Sequence, residues 1–188
     1  MDILLNFFRV ICLCHDVTKV TDRNDKSFLT GPHQDEICLL EMAKKTNYVN
    51  FIERDSSFFH IEVLGKREVY KNIKFYDFTS ERKMMTRIVQ RVNPDNGLVA
   101  DDEFNEVLVL SKGADTSILS RSIPRKDAEG VGAGGSQDPD RSMQERFDDL
   151  SNEEKAVVEH IEKSAEEGLR TLAFGYKRLP SADIDTLE

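Results

Sequence analysis

The stretch 58–78, FFHIEVLGKREVYKNIKFYDF, decides the fold. Aromatic and β-branched residues crowd 58–64 and 68–78, and Gly65-Lys66-Arg67 between them has the composition of a turn, so the segment predicts a β-hairpin. Outward from it, 86–92 reads as a third strand. Asn93-Pro94-Asp95-Asn96-Gly97 breaks the pattern, and Glu106-Val107-Leu108-Val109-Leu110 gives a compact fourth. Gly113 and Asp115 close that strand and open a short helix at 116–121. Upstream, Ile37, Leu40, Met42 and Ala43 mark an amphipathic helix over 34–45. Asp35 and Glu36 lie in its first turn, where the helix dipole favours acids.

Leu4, Phe7, Phe8, Ile11 and Cys14 recur at helical spacing and predict a first helix over 3–17. A chain that opens inside such a helix is expected to be an excised domain. The polar residues Asp22, Asn24 and Asp25 after it read as a mobile loop. Toward the C-terminus, 122–142 (SIPRKDAEGVGAGGSQDPDRS) offers almost nothing to bury and predicts a disordered insert. Ser151-Asn152-Glu153-Glu154 has the form of a capping box. The helix it starts carries Val157, Val158, Ile161 and Ala165 on one face and stops at Gly168. A last strand follows at 171–176. The predicted class is α/β: one domain over 1–188, built as a mainly antiparallel sheet flanked by helices.

Lys and Arg number 26 against 35 Asp and Glu, a net charge of −9, which disfavours nucleic acid and anionic lipid surfaces as partners. Hydrophobic residues make up 39% and charged residues 32%, outside the disordered range, and eleven Phe suffice for a core. No apolar run approaches the roughly 18 residues that span a bilayer, so the polypeptide is expected to be soluble. Cys12, Cys14 and Cys38 are too few for a disulfide framework, and a reducing compartment is expected. Cys12, Cys14 and His15 are spaced too tightly for metal ligands and have no second pair, so no metal site is assigned.

The sequence contains no Gly-x-Ser-x-Gly, no His-Glu-x-x-His and no Walker loop, and no catalytic residue is assigned within it. Three blocks place a cation at the edge of an element: Phe78-Thr79-Ser80-Glu81-Arg82-Lys83, Lys112-Gly113-Ala114-Asp115 and Gly168-Leu169-Arg170-Thr171-Leu172. Each also has a plain structural reading. Phe78 ends an alternating strand and suits a core. Lys112 suits a solvated strand edge, Arg170 a surface ion pair, and Glu36 a helix first turn.

In this order, however, residues 78–89, 112–115 and 168–179 resemble the nucleotide-binding domain of P-type ATPases. Within that family they resemble the phospholipid-flippase pattern Phe-(Thr/Ser)-Ser-x-Arg-Lys-Arg-Met-Ser, Lys-Gly-Ala-Asp and Gly-Leu-Arg-Thr-Leu. Leu13-Cys14-His15-Asp16-Val17 is similar to its Leu-Cys-His-Thr-Val, and Asp35-Glu36 followed by Leu39 to its Ser-Pro-Asp-Glu-x-x-Leu. The five blocks span nearly the whole chain outside 122–142.

That resemblance implies ATP as the ligand. Phe78 would match the ring stacked on adenine, and Glu36 the acidic residue near the purine amino group. Ser80 and Lys83 would match polar contacts around the nucleoside and phosphates. Lys112 would match the lysine on the pocket floor, with Gly113 allowing close approach, and Arg170 a phosphate-binding guanidinium beside Thr171. Gln34 and Met84 depart from the pattern. The phosphorylated Asp-Lys-Thr-Gly-Thr motif and the Mg²⁺-binding Gly-Asp-Gly-x-Asn-Asp motif are absent from the sequence. The resemblance therefore implies a monomeric, catalytically inactive domain of a pump on the cytosolic face of a membrane. It would work with phosphorylation and actuator domains and with Mg²⁺ held elsewhere. Two alternatives are the same domain of a cation transporter and a protein-interaction module on this fold.

Overall fold

The computed structural model describes residues 2–95, 97, 106–121 and 152–180. The expected insert at 122–142 and Ser151 of the capping box lie outside them. The chain divides into two bodies, 1–113 with 174–188, and 114–173.

The first body opens with α1 (Asp2–Leu13), a hairpin of β1 (Thr18–Thr21) and β2 (Ser27–Thr30), and α2 (Gln34–Thr46). There follow β3 (Val49–Arg54), β4 (Phe58–Val63), β5 (Lys66–Tyr76), β6 (Met84–Val92) and β7 (Glu106–Gly113). The last strand, β8 (Ala173–Pro180), joins them in one sheet of order β3-β4-β5-β6-β7-β8. The ladders from β3 to β7 are antiparallel. The second body contains α3 (Asp115–Leu119) and α4 (Asn152–Glu166). α4 ends where expected: Gly168 has φ 76°, its N–H donates to Ala165 O, and Leu169 N–H donates to Ser164 O. These two bonds form a Schellman motif. Among the described residues no helix is long and apolar enough to cross a membrane.

The antiparallel α/β class is as expected; several boundaries differ, each for a local reason. The hairpin turn is Leu64-Gly65, one residue before the expected one, because Val63 pairs with Lys66. Both turn residues have positive φ, 49° and 79°, the geometry that twists with the strands. The segment read as a mobile loop is the β1–β2 hairpin, closed by Asp22 Oδ1, which accepts the Asn24 and Lys26 amides at 2.8 and 2.9 Å. β3 was not expected at all. A register shift between Phe51 and Glu53 breaks the alternation by which a strand is recognised.

α1 stops at Leu13, four residues early, because side chains from the sheet take up the next backbone carbonyls, as described below. α1 and α2 cover one face of the sheet. Leu13, Val17, Leu40, Ala43, Val49, Phe59, Ile61, Val89 and Leu110 form the core there.

Candidate functional site

Glu36 and Lys112, 76 residues apart in sequence, meet inside the first body. Glu36 sits in the first turn of α2 and is 4% exposed; Lys112 lies on β7, one of the inner strands, and is 8% exposed. The Lys112 ammonium donates to Glu36 Oε1, and Asp16 N–H donates to Glu36 Oε2 at 2.9 Å. Neither residue keeps its plain reading, since Lys112 is not a solvated edge and Glu36 is not a solvated first-turn acid. Burial of a carboxylate and an ammonium is tolerated because each compensates the other.

The backbone that supplies the Asp16 amide is held by two arginines. Arg87 on β6 donates from Nη2 to His15 O at 3.0 Å and from Nη1 to Asn72 Oδ1 at 3.1 Å. Its guanidinium stacks over Phe75 and Phe59, with Cζ 4.1 and 4.7 Å from the ring centroids. Arg54 on β3 donates from Nε to Val17 O at 2.9 Å, and from Nη2 to Asp16 O at 3.2 Å and Asp16 Oδ1 at 2.5 Å. Three successive carbonyls after α1 are thus capped by cations, which also suits the negative end of the helix.

The imidazole of His15 fills the bend, with Nε2 against Cys12 O at 2.9 Å and Nδ1 accepting Val17 N–H at 3.0 Å. Both bonds are satisfied by the neutral ring with its proton on Nε2. Burial, and then the positive charge of Lys112, hold its pKa well below 6.5. Burial also lowers Arg87, to about 10. Of Lys112, Arg54, Arg87, Glu36 and Asp16, three are cations and two are anions, which leaves one positive charge over in a chain of net −9.

Phe78 lies on the β5–β6 connection and is 47% exposed, too open for a core ring. The loop around it is tied at several points. Lys83 N–H donates to Thr79 O at 2.7 Å and Arg82 N–H to Thr79 Oγ1 at 3.2 Å. The Arg82 guanidinium reaches Asp77 O at 3.3 Å and Thr86 Oγ1 at 3.1 Å. Ser80 and Lys83 are exposed on the same loop.

Gly113 lets this loop approach closely. A Cβ on Gly113 would stand 2.3 Å from Lys83 O and 2.6 Å from Met84 Cα. Lys83 itself turns with φ 54°, and Met84 pairs with Gly113 across the ladder. Arg170 and Thr171 belong to the second body, in the connection after α4, the former exposed and the latter half-buried. The structure therefore unites Glu36 with Lys112 and packs Lys83 against Gly113, the residue that follows Lys112.

Sequence reasoning did not single out Asp16, His15, Arg54, Arg82 or Arg87 as site residues. Asp16 and His15 stood in the Leu-Cys-His block, which marked the segment but not its bonds. Arg54 lay in an unexpected strand. The β5–β6 loop thus presents an exposed π face, an ammonium and hydroxyls. Among the described residues no group of three or more His, Cys, Asp or Glu side chains gathers as a metal centre.

Comparison with known proteins agrees with this fold. Residues 4–187 match the family described as P-type ATPase, cytoplasmic domain N. Phospholipid-transporting ATPase 6 of Arabidopsis thaliana is 28% identical over 189 residues, 97% of this chain and 12% of that protein. Phospholipid-transporting ATPase 11C of Mus musculus is 24% identical over 96% of this chain and 13% of its own length. Phospholipid-transporting ATPase IH of Mus musculus is 27% identical over 92% of this chain and 12% of its own. The chain spans about an eighth of the length of these relatives. With the match running from residue 4 to residue 187, the chain belongs to the P-type ATPase cytoplasmic domain N family.

Proposed function

We propose that this chain is the ATP-holding domain of a phospholipid-transporting P-type pump, presenting the γ-phosphoryl group to an aspartate on another domain. The observation that carries the reading is Phe78, a large ring left 47% exposed on a hydrogen-bonded loop. An exposed π face held still is suited to stacking on a purine. In this reading Lys112, held by Glu36, forms the floor of the pocket and Glu36 supplies acceptor character near the purine amino group. Ser80 and Lys83 contact the nucleoside and phosphates, and Arg170 with Thr171 contacts the phosphates.

Mg²⁺ would accompany the ATP. Its ligands and the acceptor aspartate are assigned to other parts of the pump, because the Gly-Asp-Gly-x-Asn-Asp and Asp-Lys-Thr-Gly-Thr motifs do not occur in this sequence. The domain would act as a monomer with the phosphorylation and actuator domains of the pump, on the cytosolic face of the membrane. The lipid reading, rather than a cation-transporting one, is supported by the names of the relatives reported above.

The test is a titration with ATP followed by ¹H–¹⁵N NMR, with release of inorganic phosphate measured on the same sample. Shifts are expected at Phe78, Ser80, Lys83, Lys112, Arg170 and Thr171, without turnover. One domain leaves much of a triphosphate in water, so Kd is expected on the order of 0.1–1 mM. Shifts confined to another surface, or hydrolysis lost on mutating a residue of this chain, would refute the proposal.

A further inference from the structure

We propose that Arg54 is a positioning residue for the nucleotide site, an inference that rests on the reading above. The chain of contacts is short and crosses the fold. Arg54 grips Asp16 by its carboxylate and carbonyl and Val17 by its carbonyl. The Asp16 amide donates to Glu36 Oε2, and Glu36 Oε1 accepts from Lys112. Four parts of the fold are linked in this way: β3, the segment after α1, α2 and β7.

Both carboxylate oxygens of Glu36 are engaged by the protein. Its first task is therefore to hold the Lys112 ammonium, a flexible point charge that has no geometry of its own. Glu36 in turn is aimed by one amide, and two arginines hold the backbone that carries it. Arg87 holds His15 O, the oxygen of the same planar peptide group as the Asp16 N–H, and Arg54 holds the next two carbonyls and the Asp16 carboxylate, so Arg54 fixes the C-terminal side of that peptide and keeps Asp16 from turning the amide away from Glu36. The guanidinium is the side chain suited to this, since it reaches three oxygens in one plane, which an ammonium cannot do.

The experiment uses the full 188-residue chain with Arg54→Met and Arg54→Lys. Met keeps the apolar stem near Phe59, over whose ring Arg54 Cζ lies at 5.7 Å. Lys keeps the charge and loses the fork. Two signals are read without ligand, the Asp16 amide and the Lys112 Nζ resonances, and titrations with ATP and adenosine follow. Positioning predicts that both variants shift the Asp16 amide, broaden the Lys112 signal and weaken ATP and adenosine alike by about ten-fold, the worth of one charge-assisted hydrogen bond. Rescue of both ligands by Arg54→Lys would overturn it and leave a purely electrostatic role, as would loss of ATP affinity with adenosine spared. Unmoved Asp16 and Lys112 signals would overturn it at the first stage.

If the wild-type chain binds neither ligand, the nucleotide reading fails. The ligand-free signals still decide whether Arg54 orders Lys112. Should Arg54→Met not fold, Asp16→Ala removes one of the three Arg54 contacts and keeps the backbone amide. A smaller shift in the same signals and about a three-fold loss for both ligands are then expected, and no change would overturn the proposal.

Discussion

Phe78 and Phe59 are the same residue type in opposite surroundings, and the difference sets what each substitution does. Phe59 is fully buried against the helices, so Phe59→Ala is expected to cost about 3–5 kcal/mol of stability as a cavity. Phe78 is half open, so Phe78→Ala should change stability by less than about 1 kcal/mol. It should also weaken ATP, ADP and adenosine alike, by roughly 1–3 kcal/mol, the worth of a lost stacking face. Arg170→Ala should weaken ATP and ADP and spare adenosine, with an effect that shrinks in salt. Melts and a three-ligand titration on both variants check this. His15 sets a second expectation at this scale. Its folded pKa lies well below 6.5 while the unfolded chain takes up a proton near 6.5. Stability is therefore full above about pH 7 and falls with pH below 6.5, by up to about 1.4 kcal/mol per unit until the folded pKa is reached. Chemical denaturation between pH 8 and pH 5 measures the slope, and a flat profile across that range would refute the assignment.

The β4–β5 hairpin and the β6–β7 ladder each turn on one residue. Leu64 occupies a positive-φ turn position at 50% exposure, so its side chain contributes strain and little burial. Leu64→Asn creates the Asn-Gly pair that this turn prefers and is expected to stabilise by about 0.5–1 kcal/mol. A urea midpoint that falls instead would show that Leu64 packs better than its exposure implies. Gly113→Ala drives a methyl into Lys83 O and the Met84 backbone, so it is expected to cost about 1–3 kcal/mol and to spread the start of β6 from the end of β7. Native-state hydrogen exchange at the Met84 amide would report it. These elements also show what could be read in the residues. β4 through β7 are legible because their alternation and turn chemistry are local. β3 is not, because a bulge at Ile52 destroys its period. The site divides in the same way. Phe78, Lys112 and Arg170 stood out through short motifs, whereas the partners of Glu36 come from segments 20 and 76 residues away. No local pattern encodes such a pairing.

For the whole molecule, charge and composition set the class while the interior runs against them. A chain of net −9 keeps one positive charge over among Lys112, Arg54, Arg87, Glu36 and Asp16. The sulfur atoms are sorted with equal clarity. Cys12 and Cys14 are buried, and burial pushes their thiols up to about 12 and about 11, where almost no thiolate forms at neutral pH. Cys38 is exposed on α2, two residues after Glu36. The native protein should consequently consume one equivalent of a maleimide and the denatured protein three, a stoichiometry that Ellman titration and intact mass would count. A dye coupled at Cys38 would need no engineered cysteine, and it would sit on the helix that holds Glu36, where ligand-dependent emission becomes a direct gauge of occupancy.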